Sequence, residues 1–226
     1  ARDVAGGRAY GEDIYLEMRA SLLALGQFES GENLFRLWKE TSYLREEKSK
    51  VVYCPIPKNA CTFFKTALIQ NSKNAAAFAD SKYDAHQFTR LVNSGYHLGN
   101  FDIIKHKNVF SFVVLRDPFK RLVSAYSNLF VRPLNGRNIP DSPAHAAVFD
   151  RQLHLGRDLD LSKSISFEEF VHYVAAEPDE RLDYHWRPQA SFFGSIDDFD
   201  MVGCVEDLDP LIHALSKRRW KFDGVE

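Results

Sequence analysis

The chain has few of the features that would place it in a specialised class of protein. Its 226 residues include only three cysteines, Cys54, Cys61 and Cys204, without a CxxC pair, so neither a disulfide framework nor a zinc site is expected. No apolar run approaches the roughly 18 residues that a membrane helix requires, so we expect no membrane span. A net charge of −2 gives no general basic field, which argues against nucleic acid as a partner.

The chain also contains no N-x-[ST] glycosylation acceptor. Together with the few cysteines, this absence favours a reducing, cytoplasmic location. The chain starts at Ala1 rather than at a methionine, so the alternative is a lumenal domain that lacks its anchor.

The chain does have enough hydrophobic residues to form the core of one domain. Of its residues, 45% are hydrophobic, and they include 18 Phe and 9 Tyr. Apolar residues at three- and four-residue steps predict helices over residues 10–45. We therefore divide the chain into an N-terminal helical segment, 1–48, packed on a main domain, 49–226.

The main domain contains two strand–turn–helix patterns. In the first, strand Val51–Cys54 leads through Pro57-Lys58-Asn59-Ala60-Cys61-Thr62 into a helix that ends near Asn71. In the second, strand Val109–Leu115 leads through Arg116 into a helix with Asp117 as its N-cap and Pro118 as its first residue. Each helix N-terminus would direct backbone N–H groups at an anion, so the pair predicts a ligand with two anionic ends.

The helix after Pro118 carries an apolar stripe, which we expect to face the core: Phe119, Leu122, Val123, Tyr126, Leu129 and Phe130. Residues 131–162 are predicted to form a long surface excursion. Ser166 with Glu169 predicts a capping box, and a strand at Met201–Val205 precedes a helix at Leu208–Lys217. Strands that alternate with helices predict an α/β fold with a central parallel sheet flanked by helices.

The first turn lacks the two glycines of a G-x-x-x-x-G-K-[ST] phosphate loop, although a lysine and a threonine, Lys58 and Thr62, are present. Such a turn suits a single phosphate group better than a triphosphate with Mg²⁺. In the second turn, the guanidinium of Arg116 and the hydroxyl of Ser124 suit a phosphate monoester. An ATP-dependent small-molecule kinase and a non-catalytic nucleotide- or glycan-binding module both remain open at this point.

These segments resemble those of sulfotransferases that use 3′-phosphoadenosine 5′-phosphosulfate (PAPS), in particular the carbohydrate sulfotransferase branch with its chondroitin and uronyl 2-O members. The turn from Pro57 to Thr62 matches the family's 5′-phosphosulfate loop, and the segment from Arg116 to Tyr126 matches its 3′-phosphate segment. Weaker matches follow at His185-Trp186-Arg187-Pro188-Gln189 and at Met201–Leu208. The resemblance covers about residues 50–215.

The resemblance implies a P-loop-kinase-like fold and transfer of a sulfuryl group from PAPS to a carbohydrate hydroxyl, without a metal. It implies donor binding by the two segments, that is by Pro57, Lys58, Asn59, Ala60, Cys61, Thr62, Phe63, Arg116 and Ser124. Lys58 would stabilise the charge of the transition state. His97 is the first candidate for the base and His86 is the second, and a Glu or Asp base remains an open alternative. His185, Trp186 and Arg187 are candidates for acceptor binding.

The chain departs from the Golgi members of this branch, which have a membrane anchor, paired cysteines and a further C-terminal segment. From this difference we expect a free-standing, bacterial-like member, or a domain shortened at its C-terminus.

Overall fold

A five-stranded sheet lies at the centre of the fold, with the strand order β3-β1-β2-β4-β5. Strands β2, β4 and β5 are parallel, whereas β1 pairs antiparallel with β2 and with β3. The strand bounds are β1 Tyr43–Glu46, β2 Val51–Cys54, β3 His97–Leu98, β4 Phe110–Leu115 and β5 Met201–Cys204. The predicted α/β class with a central parallel sheet is confirmed.

The computed structural model describes residues 43–46, 48–91, 97–98, 108–131, 152, 155–156, 165–179 and 182–225. The described residues form two compact units, one from 43 to 121 together with 188 to 225, the other from 122 to 187. The helices predicted over 10–42 and almost all of the excursion predicted over 131–162 lie outside the described residues. The domain boundary at residue 48 stays a prediction.

One helical prediction is wrong: Tyr43, Leu44 and Arg45 belong to strand β1 rather than to the end of a helix. The strand forms because its residues align in register with β2, with Leu44 opposite Tyr53 and Glu46 opposite Val51. Glu46 also accepts hydrogen bonds from the backbone N–H groups of Lys48 and Ser49, which closes the connection to β2. Pairing with a distant strand therefore overrides the local helical pattern.

The central strands are buried on both faces, as the continuous apolar run of β4 predicts. Phe112, Val113 and Val114 are fully buried, and so is every residue of β2. Cys54 lies opposite Val113, and Leu115 lies opposite Cys204, so the carboxyl ends of the three parallel strands meet at one edge of the sheet.

The helices of the first unit are α1 Cys61–Gln70, α2 Ala75–Ala79, α3 Ala85–Leu91, the start of α4 Pro118–Tyr126, and α6 Asp209–Lys217. Helices α1 and α6 share one core cluster with the sheet, in which Phe64 and Leu215 pack with Phe112 and Trp220. Helix α3 packs on α1 through Phe88 and Ile69. No helix in the described ranges is both long and apolar enough to cross a membrane.

In the second unit, helix α5 Phe167–Ala176 begins with the predicted capping box, in which Ser166 and Glu169 exchange side-chain-to-backbone hydrogen bonds. The end of α4 continues into a π-helical turn, Ser127–Val131. The core of this unit is aromatic, with Phe130, Phe170, Tyr173 and Trp186 buried together.

The apolar stripe predicted for α4 is wrong at two positions. Phe119 is 80% exposed and Val123 is 48% exposed, whereas Ala125 is fully buried. The half-buried residues Leu122, Tyr126 and Leu129 pack against the core instead. Phe119 and Val123 lie next to this line on the helix surface, so the predicted stripe was too wide.

Candidate functional site

The candidate site is formed by the turns that follow strands β2 and β4, at the edge where the parallel strands end. In open α/β sheets, ligands bind outside the carboxyl ends of the strands. The first turn is Pro55–Ala60 and leads into α1, and the second is Arg116-Asp117 and leads into α4.

The first turn adopts a left-handed backbone without any glycine. Lys58 has a φ of 68° and Ala60 a φ of 55°, and the N–H of Asn59 donates to the carbonyl of Ile56 at 3.2 Å. Such a conformation is uncommon for residues with a side chain, and it concentrates at functional sites. The turn delivers the chain into α1, whose N-terminus has no side-chain cap and no acidic residue in its first turn. The first N–H groups of α1 are therefore arranged for an anion.

Two guanidinium groups hold the carbonyl oxygens of this turn. Arg116 Nη1 donates to the oxygen of Lys58 at 2.9 Å, and Arg121 Nε donates to the oxygen of Pro57 at 3.0 Å. Arg121 is only 4% exposed and lies over the ring of Phe192, so its role here is to brace the turn. Arg116 is half-buried and joins the two turns directly.

A buried amide network, which the sequence did not indicate, connects the same turns. Asn59 is fully buried, and its Nδ2 donates to the oxygen of Val114 at 2.8 Å and to Gln189 Oε1 at 2.5 Å. Gln189 in turn bonds the backbone of Arg116. Gln189 belongs to the His185–Gln189 segment that matches the family, but no local sequence rule predicts that it bonds Asn59 and Arg116.

His86, the second candidate for the base, lies in the first turn of α3 and contacts α1. Its Nε2 is 2.9 Å from Thr62 Oγ1, and its Nδ1 is 3.1 Å from Lys65 Nζ. The sulfur of Cys61 is 3.9 Å from the same Nε2. The structure therefore brings His86 to the N-terminus of α1, beside the threonine of the first turn.

An acidic side chain lies against the second turn. Glu206 is 3.7 Å from Lys120 Nζ and accepts a long hydrogen bond, 3.5 Å, from the N–H of Asp117. A hydrogen bond from the thiol of Cys204, at 3.0 Å, is the main cause that lowers the pKa of Glu206 below the ordinary value of a glutamate. Lys120 thus has a carboxylate partner, which offsets part of its positive charge.

The remaining predicted residues have varied surroundings. Phe63 packs on Phe64 and stacks on Phe222 at 5.7 Å. His97 is described only by its backbone, which pairs with Leu44 in the sheet. Ser124 is half-buried in the last turns of α4, in the second unit.

The acceptor candidates belong to the second unit. His185 Nδ1 is 2.7 Å from Asp183 Oδ1. Trp186 is 5% exposed and meets the ring of Phe170 edge-on at 5.2 Å. Arg187 donates to the oxygen of Leu182 at 2.9 Å. Trp186 and Arg187 therefore make contacts that support the core of this unit, and half-buried His185 is the more accessible of the three.

In the described part of the chain, no group of three or more His, Cys, Asp or Glu side chains converges as a metal site would.

Comparison with known proteins gives one family and several relatives. The sulfotransferase family model matches residues 41–218. The relatives include carbohydrate sulfotransferase 9 of Homo sapiens, which is 25% identical over 73% of this chain and 38% of its own length. Carbohydrate sulfotransferases 11 and 14 of Danio rerio are 28% and 29% identical, over 73% and 74% of this chain and 49% and 45% of their own lengths. The matched part of the chain thus spans less than half of each of these relatives, and no solved structure matches.

Proposed function

The chain belongs to the sulfotransferase family, and we propose that it transfers a sulfuryl group from PAPS to a hydroxyl group of a carbohydrate. The observation that carries this proposal is the contact between the two turns, in which Arg116 Nη1 lies 2.9 Å from the oxygen of Lys58. This contact places two cationic turns side by side at one sheet edge, as a ligand with two anionic ends requires.

The first turn is proposed to bind the 5′-phosphosulfate. The N–H groups at the start of α1, the ammonium of Lys58 and the hydroxyl of Thr62 would donate to its oxygens. The absence of an acidic residue from the first turn of α1 suits an anionic ligand there. The residues proposed to line this loop are Pro57, Lys58, Asn59, Ala60, Cys61, Thr62 and Phe63.

The second turn is proposed to bind the 3′-phosphate through the guanidinium of Arg116. A guanidinium presents several N–H donors in one plane, which matches the oxygens of a phosphate monoester. Binding at this end would supply energy that positions the reacting bond at the other end.

The proposed reaction is an in-line displacement at sulfur. The acceptor oxygen forms a bond to sulfur while the bond from sulfur to the oxygen of the 5′-phosphate breaks, and adenosine 3′,5′-bisphosphate leaves. Negative charge develops on that bridging oxygen, where the ammonium of Lys58 would stabilise it. The acceptor hydroxyl loses its proton to a base, for which we propose His97. His86, the other sequence candidate, is considered below.

A carbohydrate acceptor is proposed because the relatives named above are carbohydrate sulfotransferases. His185, Trp186 and Arg187 remain the proposed residues on the acceptor side. A kinase is less favoured, because the first turn lacks the glycines that a triphosphate loop uses.

The test is calorimetric titration with adenosine 3′,5′-bisphosphate, 5′-AMP and ATP with Mg²⁺. We expect the bisphosphate to bind far more tightly than 5′-AMP, because only the bisphosphate reaches both turns. Transfer of label from ³⁵S-PAPS to a panel of polysaccharides then tests the activity. A preference for ATP with Mg²⁺ would support the kinase, and bisphosphate binding without transfer to any acceptor would support the binding module.

A further inference from the structure

The ring of His86 bridges two side chains of helix α1 that stand one helical turn apart. Nε2 is 2.9 Å from Thr62 Oγ1 and Nδ1 is 3.1 Å from Lys65 Nζ, so both ring nitrogens have polar contacts. His86 itself is half-buried, whereas Thr62 is exposed.

The lysine decides which ring nitrogen carries the proton. A lysine ammonium at neutral pH has only N–H donors and no acceptor. His86 Nδ1 must therefore accept from Lys65 with its lone pair, which leaves the ring hydrogen on Nε2 in the neutral imidazole. A cationic ring would instead point an N–H at the ammonium, which is unfavourable.

The tautomer determines what the threonine hydroxyl does. With its hydrogen on Nε2, His86 donates to Thr62 Oγ1, so the hydroxyl accepts on that side and directs its own hydrogen elsewhere. Among the described residues, His86 is the polar side chain that the Thr62 hydroxyl contacts. Thr62 is the second residue of α1, where the helix N-terminus has no side-chain cap. Its hydroxyl hydrogen is thus available beside the N–H groups of that terminus.

The position of His86 is fixed by the packing of α3 on α1. Phe88, two residues along, is 3% exposed and packs with Ile69, and its ring meets Phe78 edge-on at 5.0 Å. The N-terminus of α3 is capped by Asp84, which accepts from the N–H of Gln87 at 2.8 Å. The ring is therefore held against α1 by the fold and not only by its own hydrogen bonds.

We propose that His86 is a positioning residue, which holds the Thr62 hydroxyl as a hydrogen-bond donor to the phosphosulfate end of PAPS. This inference rests on the proposed function. It also implies that His86 is not the catalytic base. Nδ1 accepts from Lys65 and Nε2 carries a hydrogen, so neither nitrogen offers a lone pair to the hydroxyl of the carbohydrate acceptor.

The first test does not depend on activity. Two-dimensional ¹⁵N–¹H spectra of the histidine rings at pH 7.5 distinguish the tautomers, and His86→Gln assigns the signal. We expect the Nε2–H tautomer in the wild type and a mixture of tautomers in Lys65→Met. A wild-type ring with its hydrogen on Nδ1, or a cationic ring, would overturn the proposal.

The second test is a double-mutant cycle between Thr62→Val and His86→Leu, measured as the affinity for adenosine 3′,5′-bisphosphate. Each single change should weaken binding about tenfold, and the double variant should also lose about tenfold rather than a hundredfold, because His86 acts on binding only through the Thr62 hydroxyl. Independent, multiplying effects would contradict the proposal. Thermal unfolding of each variant checks that the fold is intact.

The third test separates a positioning residue from a base. A glutamine at position 86 offers an amide N–H and a carbonyl oxygen but cannot accept a proton, so His86→Gln should recover most of the donor affinity that His86→Leu loses. A base would behave differently: kcat would fall by about 10²–10⁴ with donor affinity unchanged, and this result would overturn the proposal. If the wild type bound no bisphosphate, the proposed function would fail and this role with it, whatever the tautomer.

Discussion

The side-chain amide of Gln189 pairs with both backbone groups of Arg116. Its Nε2 donates to the oxygen of Arg116 at 2.8 Å, and its Oε1 accepts from the N–H of Arg116 at 3.0 Å. The amide thereby makes the two backbone hydrogen bonds that a paired strand would make just beyond the end of β4. Because the same Oε1 accepts from Asn59, one side chain ties the residue proposed for the 3′-phosphate to the loop proposed for the 5′-phosphosulfate.

Replacing Gln189 with alanine should therefore loosen both turns. Asn59 Nδ2 and the Arg116 backbone would lose partners in a half-buried region, at a cost of about 1–3 kcal/mol in the free energy of unfolding. We also expect weaker binding of adenosine 3′,5′-bisphosphate with a smaller effect on 5′-AMP. Urea unfolding and calorimetry measure the two effects. Gln70→Ala, at an exposed position of α1, is the matched control, and equal losses in both variants would contradict the network's role.

The two proposed anion ligands should differ in their kinetic effects. Lys58→Ala should mainly lower kcat, because the ammonium is proposed to meet charge that develops in the transition state. Arg116→Lys should mainly raise KM and Kd for the donor, because an ammonium cannot replace the guanidinium fork. Lys120→Ala, whose lysine pairs with Glu206, is the control and should change either constant by less than about threefold. Unchanged donor affinity in Arg116→Lys would contradict the 3′-phosphate assignment.

Gly203 is required by close packing rather than by its backbone conformation. A Cβ at this position would lie 2.6 Å from Leu211 Cδ2 and 3.5 Å from Val114 Cγ2. Gly203→Ala should destabilise the protein by about 1–3 kcal/mol, because Leu211 is fully buried and has little room to move. In a Leu211→Val background the same change should cost less, which chemical denaturation of the four variants would measure. An equal cost in both backgrounds would show that the clash lies elsewhere.

The capping box of α5 should contribute measurably to the stability of the second unit. Ser166→Ala removes the acceptor of the hydrogen bond from the N–H of Glu169, at a cost of about 1 kcal/mol. Thermal unfolding followed by circular dichroism measures the loss. Ser216→Ala, at an exposed position of α6, serves as control and should be nearly neutral.

The cysteines should differ sharply in reactivity. Cys54 is fully buried, and this burial raises the pKa of its thiol well above the ordinary value, so almost no thiolate forms at pH 8. Cys204 is exposed. With a disulfide reagent at pH 8 we expect Cys204 to react within minutes and Cys54 only on unfolding. Mass spectrometry assigns the sites, and Cys204→Ala should remove the fast phase; rapid labelling of native Cys54 would contradict its burial.

The sequence predicted the parts of the fold that local pattern determines. The strands β2 and β4, the helices after each turn and the Ser166 capping box follow from apolar runs, prolines and caps within a few residues of each other. The parts that it did not predict depend on partners far along the chain. Strands β1 and β3 are short: β1 forms by pairing with β2 and with β3, and β3 by pairing with β1. Gln189 bonds Asn59, just before α1, and Arg116, just after β4.

Side-chain direction is the other source of error. Arg121 lies in the same segment as Arg116, but whether a guanidinium faces a ligand or a backbone carbonyl depends on tertiary packing. Arg121 lies against Phe192 and Pro57, contacts that no spacing rule indicates. The same holds for Phe119 on α4, which is apolar and yet 80% exposed.

The parallel register of β2 and β4 also sets the separation of the two turns proposed to bind PAPS. Cys54 is aligned with Val113, so a fixed number of residues leads from that pair to Lys58 on one side and to Arg116 on the other. Inserting one residue into β4 would move Arg116 by about 3.3 Å and turn the following side chains to the opposite face. The distance between the two turns proposed to bind PAPS is therefore set in whole residues of strand, and it can change only in steps.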